Sequence, residues 1–180
     1  AVGYEAAKFR QGDWAIALGY QAGLGVTGVS GQGTSAIAIG LECGKLQQGD
    51  GAIAMGRLAG RTAQGGAAVA IGGANVGVNA AGSNNQGLCA VAVGAGAGDD
   101  TQGEYCVAIG WAAGQSTQGE FSVAVGRGAG RNQQGYGAVA IGAETAGGVG
   151  PGHFEQGNYA IAIGPSAGAT QQETNAIAIG

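Results

Sequence analysis

His153 is the single histidine of the chain and stands in the stretch Gly150-Pro151-Gly152-His153-Phe154. No second histidine is there to complete a zinc set or to work beside a nucleophile, so an exposed or locally hydrogen-bonded imidazole is expected. Cys89 and Cys106 fall in neighbouring repeats but one column apart. On a strand that spacing points them to opposite faces, which disfavours a bridge, and with Cys43 they read as small buried side chains. Asp13, Asp50, Glu104 and Glu120 share one column of the repeat. Glu104 and Glu120 would lie about 5 Å apart on adjacent coils, an arrangement that a calcium ion would relieve. The Asp-rich glycine loops of calcium-binding rolls are absent, and a solvated acidic turn accounts for the column. Arg57, Arg61, Arg127 and Arg131 flank a recurrent Ala-Gly pair and are placed to meet acids of other chains. Trp14, Tyr105, Phe121 and Tyr159 occupy the next column. They read as a sugar-stacking strip, as caps over a coil corner, or as a chain–chain contact. No column combines nucleophile, base and acid, so the sequence predicts neither an enzyme nor a bound cofactor or metal.

These residues are positioned by a repeat. Eleven glycines close an Ala-Ile-Ala-Ile-Gly motif: Gly3, Gly19, Gly40, Gly56, Gly72, Gly94, Gly110, Gly126, Gly142, Gly164 and Gly180. The period is 16 residues, with three insertions of 5 or 6. The insertions are expected at 24–30, 76–83 and 148–154, all at a similar place after the anchor glycine and hence along one edge of a rod. There they could carry recognition or only fill space between neighbouring rods. Two residues before each anchor the residue is always alanine, flanked by large aliphatic residues. Eight residues before it stands glutamine in every complete unit, and Ala-Gly usually follows three and four residues after it.

Alternation of Ala with Ile or Val has the period of a strand, and β-branching favours that choice. A unit of 16 residues has room for two short strands and two turns, not for a helix with its loops. Stacked in parallel at about 4.8 Å, ten coils make a rod about 48 Å long. The fold class is therefore all-β, a parallel β-solenoid, with residues 1–180 forming one repeat array. In this reading the aliphatic columns fill the interior: Ile37, Ile39, Ile53, Val69, Ile71, Val107, Ile109, Val139, Ile141, Ile161 and Ile163. The glutamines Gln32, Gln48, Gln64, Gln86, Gln102, Gln118, Gln134 and Gln156 would form an amide ladder, each side chain bonded to the one in the next coil. The opposite face would then be a strip of alanine: Ala17, Ala38, Ala54, Ala70, Ala92, Ala108, Ala124, Ala140, Ala162 and Ala178. Such an uncharged strip of methyl groups calls for a second copy of the chain as cover.

Composition bounds the rest. Charged residues make up only 10% and the net charge is −4, so a basic surface for nucleic acid is excluded. Glycine is abundant, at 42 residues, but without a Gly-X-Y triplet, which excludes collagen and removes the information from chance glycine-rich phosphate motifs. No apolar run is long enough for a transmembrane helix. The chain opens and closes in repeat register, which reads as a piece or subunit of a longer fibre.

The motif Ala-Ile-Ala-Ile-Gly, then two residues, then Ala-Gly, resembles the YadA-like head repeats of trimeric autotransporter adhesins, and similar repeats of viral and phage fibres. The resemblance implies a left-handed β-roll, a homotrimer, and adhesion at a bacterial or virion surface, with a host or matrix ligand as a further partner. The adhesin heads commonly use a shorter period, and no neck or stalk segment accompanies these repeats. An extracellular structural or adhesive fibre protein is thus the first expectation. A subunit of an end-to-end filament is the second. An ice-binding solenoid is the third, although the threonines form no ladder.

Overall fold

The computed structural model describes residues 1–28, 31–74 and 79–180. Each repeat forms a three-residue strand immediately before its anchor glycine, from Ile16–Leu18 to Ile177–Ile179. Ten such strands lie in one parallel sheet in the order of the sequence. The columns are in strict register, with Val107, Ala108 and Ile109 opposite Val123, Ala124 and Val125. A second parallel sheet contains five two-residue strands, from Thr101–Gln102 to Gln171–Gln172. Isolated parallel bridges carry its glutamine column on from Gln102 to Gln11. The protein is a parallel β-solenoid, with no helix among the described residues and hence none that could cross a membrane.

Two tight turns per coil join the sheets. In one, the residue four before the anchor donates its N–H to the carbonyl of the glycine three residues earlier, as Ala90 does to Gly87 at 3.3 Å. In the other, the Ala of the Ala-Gly pair donates back to the anchor carbonyl, as Ala97 does to Gly94 at 3.3 Å. The third residue of each turn has positive φ, 54° at Cys89 and 70° at Gly96, which is type II geometry. The anchor glycines themselves lie at φ between 109° and 152°, a region closed to other residues.

The structure reverses the two faces of the strands. The alanines expected to form the outer strip are the core: Ala17, Ala38, Ala54, Ala70, Ala92, Ala108, Ala124, Ala140 and Ala162 are buried, and Ala178 in the last coil is half-buried. They interdigitate with the alanines of the Ala-Gly corners, so that Ala97, Ala113 and Ala129 alternate with Ala92, Ala108 and Ala124 in one cluster. The column four before the anchor, from Ala36 to Ala160 and including Cys106 and Ser122, is buried as well. The residues expected as core face outward. Ile71, Ile109, Ile141 and Ile163 are about two-fifths exposed, at 38–41%, while Ile37, Ile39, Ile53, Val69, Val107, Val139 and Ile161 are half-buried.

The reason is room. Two tight turns bring the sheets so close that methyl groups and one amide per coil fill the space between them. At Gly114 of an Ala-Gly pair, a Cβ would sit 2.8 Å from the Gln118 Oε1. An interior that cannot take a methyl group at that corner cannot take isoleucine across from it. Period-two patterning shows that a strand has two unlike faces; it does not say which is inside. The usual preference for large aliphatic side chains in a core loses here to the thickness of the coil.

Insertions leave the rod at two corners, not along one edge. Gly25 still donates in register to Lys45, so the first begins beyond Gly25. The second falls between Ala74, bonded to Arg57, and Ala81, which accepts from Gly60. The third falls between Glu144, bonded to Arg127, and Pro151, which accepts from Gly130. Ala81-Gly82 and Pro151-Gly152 are therefore the Ala-Gly corners of their coils. Residues 29–30 and 76–78 of the expected insertions lie outside the described residues.

Candidate functional site

Side chains from Gln32 to Gln156 of the expected ladder are stacked in register and buried. The bonds they make are not those expected. Gln48, Gln64, Gln118, Gln134 and Gln156 each donate Nε2 to a strand carbonyl of the preceding coil and to a carbonyl four residues on in their own coil. For Gln64 the acceptors are Ile53 at 2.8 Å and Ala68 at 3.2 Å. Gln32 uses Ile16 and Ala36 in the same way. Between described side chains, the Gln86 amide alone reaches the next rung, donating to Gln102 Oε1 at 3.2 Å. Each amide thus ties the two sheets together by capturing carbonyls that the ladder hydrogen bonds leave a lone pair on. A net bond of this kind contributes about 1 kcal/mol, and a lost one orphans a buried group.

Three surface features remain. The first is the outer face of the ten-stranded sheet. Its strands present twenty side chains outward, two per strand, and all are Ile, Val, Leu or Met. Val2, Tyr4, Tyr20 and Leu41 extend this apolar surface at the first coils, with the Tyr4 and Tyr20 rings stacked at 5.3 Å.

The second is aromatic. Tyr105 and Phe121 stack at 5.1 Å, Tyr136 stands edge-on to Phe121 at 5.4 Å, and Tyr159 continues the row at 5.4 Å. Tyr136 lies one column from the others, and single-column counting misses it. Trp14 is open to solvent, whereas Trp111 lies beneath the guanidinium groups of Arg127 and Arg131, at 5.1 and 5.4 Å from its ring centre.

The third is a polar column after the Ala-Gly corner. Asp99 is buried there, with Asn79 donating to it at 2.7 Å and the Ser83 hydroxyl donating to its other oxygen. Burial raises its carboxyl pKa above the usual range against those two donors. His153 belongs to the same column and is buried in the coil, not displayed on a loop. Its Nδ1 accepts the Gly150 N–H at 3.3 Å, and its ring packs against Phe154 at 4.5 Å. Burial first, and then the charge of Arg131, lower its pKa, with Glu144 opposing. A histidine whose pKa is lowered on folding stabilises the fold above its unfolded value of about 6.5 and loses that contribution as the pH falls through the folded value. Acidification from pH 7.5 to pH 5 is therefore expected to lower the melting temperature of the wild type more than that of His153→Gln. Thermal melts of the two proteins across that range measure the difference, and equal slopes would remove the imidazole from the account.

Cys43 and Cys106 are buried, with the Cys43 thiol pushed up to about 12 by burial, but Cys89 is exposed, against expectation. Asp50 accepts the Thr34 N–H at 2.8 Å, a structural use of the acidic column, while Glu104 and Glu120 point to solvent. Two of the four arginines that flank the Ala-Gly pairs find acids within their own chain, Arg61 with Glu42 at 3.5 Å and Arg127 with Glu144 at 2.5 Å, while Arg131 donates to Gln115 Oε1 at 3.0 Å. Among the described residues no group of three or more His, Cys, Asp or Glu side chains is placed to hold a metal ion.

Fold and surface together define an alanine-cored parallel β-solenoid with an aliphatic outer face. No protein-family model, curated protein or solved structure matches the chain.

Proposed function

We propose that the chain is a structural or adhesive rod of a cell or virion surface, without catalytic activity, that assembles side by side with further copies of itself through the aliphatic face of the ten-stranded sheet. The observation that carries this reading is the unbroken double column of Ile, Val, Leu and Met side chains on that face, interrupted by no charge. Two columns about 6.6 Å apart over about 48 Å of rod, with the width of their side chains, give a strip of roughly 500 Å². That is as large as the largest apolar patch of a typical monomer, before the flanking Tyr4, Tyr20 and Leu41 are counted. With those flanks it approaches the roughly 800 Å² that one partner contributes to a standard interface. A second copy is the cover that fits best, because its ridges repeat at the same coil spacing and can interdigitate along the whole length. The resemblance of the repeats to trimeric adhesin heads supports placement outside the cell.

Native mass measurement tests the reading. The wild-type chain is expected as a discrete multiple of the chain mass at micromolar concentration. The double variant Ile109→Glu, Ile141→Glu places two charges on the strip without touching the core and is expected to run as a single chain with an unchanged circular dichroism spectrum. A wild type that is itself a single chain refutes lateral assembly.

A further inference from the structure

The second sheet carries a groove that lateral assembly through the first sheet leaves open. Two cavities of about 450 and 370 Å³ mark it, one in the last coils and one in the first. They share a glycine floor and differ in their walls. The floor is the glycine column seven before the anchor, Gly33, Gly49 and Gly65 in one and Gly135 and Gly157 in the other. One wall is the column nine before the anchor, which is Arg10, Gly31 and Gln47 in the first coils and the uncharged or acidic Thr117, Gln133, Glu155 and Gln171 in the last. In the last coils the chain turns into the aromatic row after the floor glycines, so Tyr136 follows Gly135 and Tyr159 is the third residue of the turn that Gly157 opens, whereas Thr34, Asp50 and Gly66 follow the floor glycines of the first coils.

We infer that the stretch of this groove in the last coils binds an extended, neutral, β-linked polysaccharide lying along the rod, with its sugar rings beside the aromatic row and its hydroxyl groups on the amide and hydroxyl wall. Three observations lead to that ligand chemistry. The aromatic centres repeat every 5.1–5.4 Å, one per coil, which matches the advance of one pyranose ring in an extended β-linked chain. Tyr136, tilted 61° and 71° from its neighbours and 41% exposed, turns its face out of the row, where a sugar can stack on it. Tyr105, Phe121 and Tyr159 hold φ of 57–59°, the left-handed turn conformation that Ser35, Ala67, Cys89 and Asn175 share at 52–62° in the same column. That turn sets the three half-exposed rings at the same corner of their coils.

The wall selects among extended polymers. Backbone N–H and C=O groups of both sheets are consumed in the coil ladders, so an extended peptide finds no edge to add to along this face. Amide, hydroxyl and carboxylate side chains at one per coil in the last coils suit hydroxyl groups instead. The cavity in the last coils holds Glu155 and Glu173 and no basic residue, which disfavours an anionic chain.

Isothermal titration of the full chain with cellohexaose, chitohexaose and, as a helical control, maltohexaose tests the inference, with tyrosine fluorescence as a second readout. At least one of the two β-linked hexaoses is expected to bind with a Kd below about 1 mM, and its disaccharide at least tenfold more weakly. The double variant Tyr136→Ala, Tyr159→Ala is expected to lose at least tenfold in affinity, Tyr159→Phe to keep it, and Trp111→Ala, on the other turn, to leave it unchanged. Should the double alanine variant fail the circular dichroism check for folding, Gln133→Ala with Gln171→Ala takes its place with the same expectation. Binding by neither β-linked hexaose overturns the groove, as does undiminished binding by the folded variants. A changed native mass in the tyrosine variant with no change in affinity would make the row a chain–chain contact and overturn it too. Lateral assembly is read separately, by the mass of the Ile109→Glu, Ile141→Glu variant, so either proposal can fail alone.

Discussion

Ala108→Glu abolishes folding of the rod instead of releasing one copy from another. Ala108 is fully buried between the sheets, packed among Ala92, Ala97, Ala113 and Ala124. A glutamate there adds three heavy atoms beyond a carboxyl-bearing methylene to a space filled by methyl groups. Overpacking of that order costs about 1–3 kcal/mol. The ionised carboxylate adds several kcal/mol more of desolvation, with no cation in the interior to offset it. Against a total stability of about 5–15 kcal/mol the sum is decisive. In a solenoid the damage begins in the coils adjoining the substitution, so far-ultraviolet circular dichroism and a thermal melt should show loss of the central coils at the least. Ile109→Glu, one residue away, is the control, since its side chain is 41% exposed and its charge meets water in the isolated chain. A folded Ala108→Glu protein with a cooperative melt would put alanine back on the outside.

That contrast separates what was legible in the sequence from what was not. The period of 16, the parallel register and the strand positions could be read directly, because the anchor glycines and alternating residues recur at fixed offsets. The sign of the alternation could not. Hydrophobicity argued for Ile37 and Ile39 inside and Ala38 outside, and the thinness of the coil decided the opposite. A signal was present in the residues opposite the strand. A glutamine in every coil and a glycine at every corner leave no volume for a branched side chain between them. The glutamines were recognised as a stack, but their partners are backbone carbonyls, which no column count reveals.

The surface was legible in a similar, partial way. The aromatic column from Tyr105 to Tyr159 was visible, while its continuity depended on Tyr136, which enters from the neighbouring column because Gly137 takes the turn position in that coil. The insertions were counted correctly and placed too late in two coils. Ala81-Gly82 and Pro151-Gly152 follow the insertion, and they look in sequence like part of it until the hydrogen-bond register assigns them. His153 became a buried corner residue by the same reassignment.

Gly110→Ala is expected to destabilise the protein by more than about 3 kcal/mol, although alanine is among the commonest residues of this chain and differs by one methyl group. Two costs fall together at the anchor. Its φ of 126° lies outside every region open to an L-residue, so alanine must rotate the backbone away from it. The added Cβ would also sit 2.7 Å from the carbonyl oxygen of Gly126, the anchor of the next coil. That neighbour is backbone, held by the Gly126 N–H bond to the Ile109 carbonyl at 2.8 Å, and cannot yield as a flexible side chain would. Relief requires the two coils to separate, which opens the ladder on both sides. Gly51→Ala isolates the conformational part of the cost. Gly51 has φ of 65° with no heavy atom within 4 Å of the new Cβ, and Ala67 already occupies the same turn position of the next coil at 52°. Its expected cost is about 1 kcal/mol. Denaturant unfolding of the two variants should therefore differ severalfold in lost stability. Equal losses would mean that torsion alone fixes the anchor as glycine, and that neighbouring coils do not meet backbone to backbone along that column.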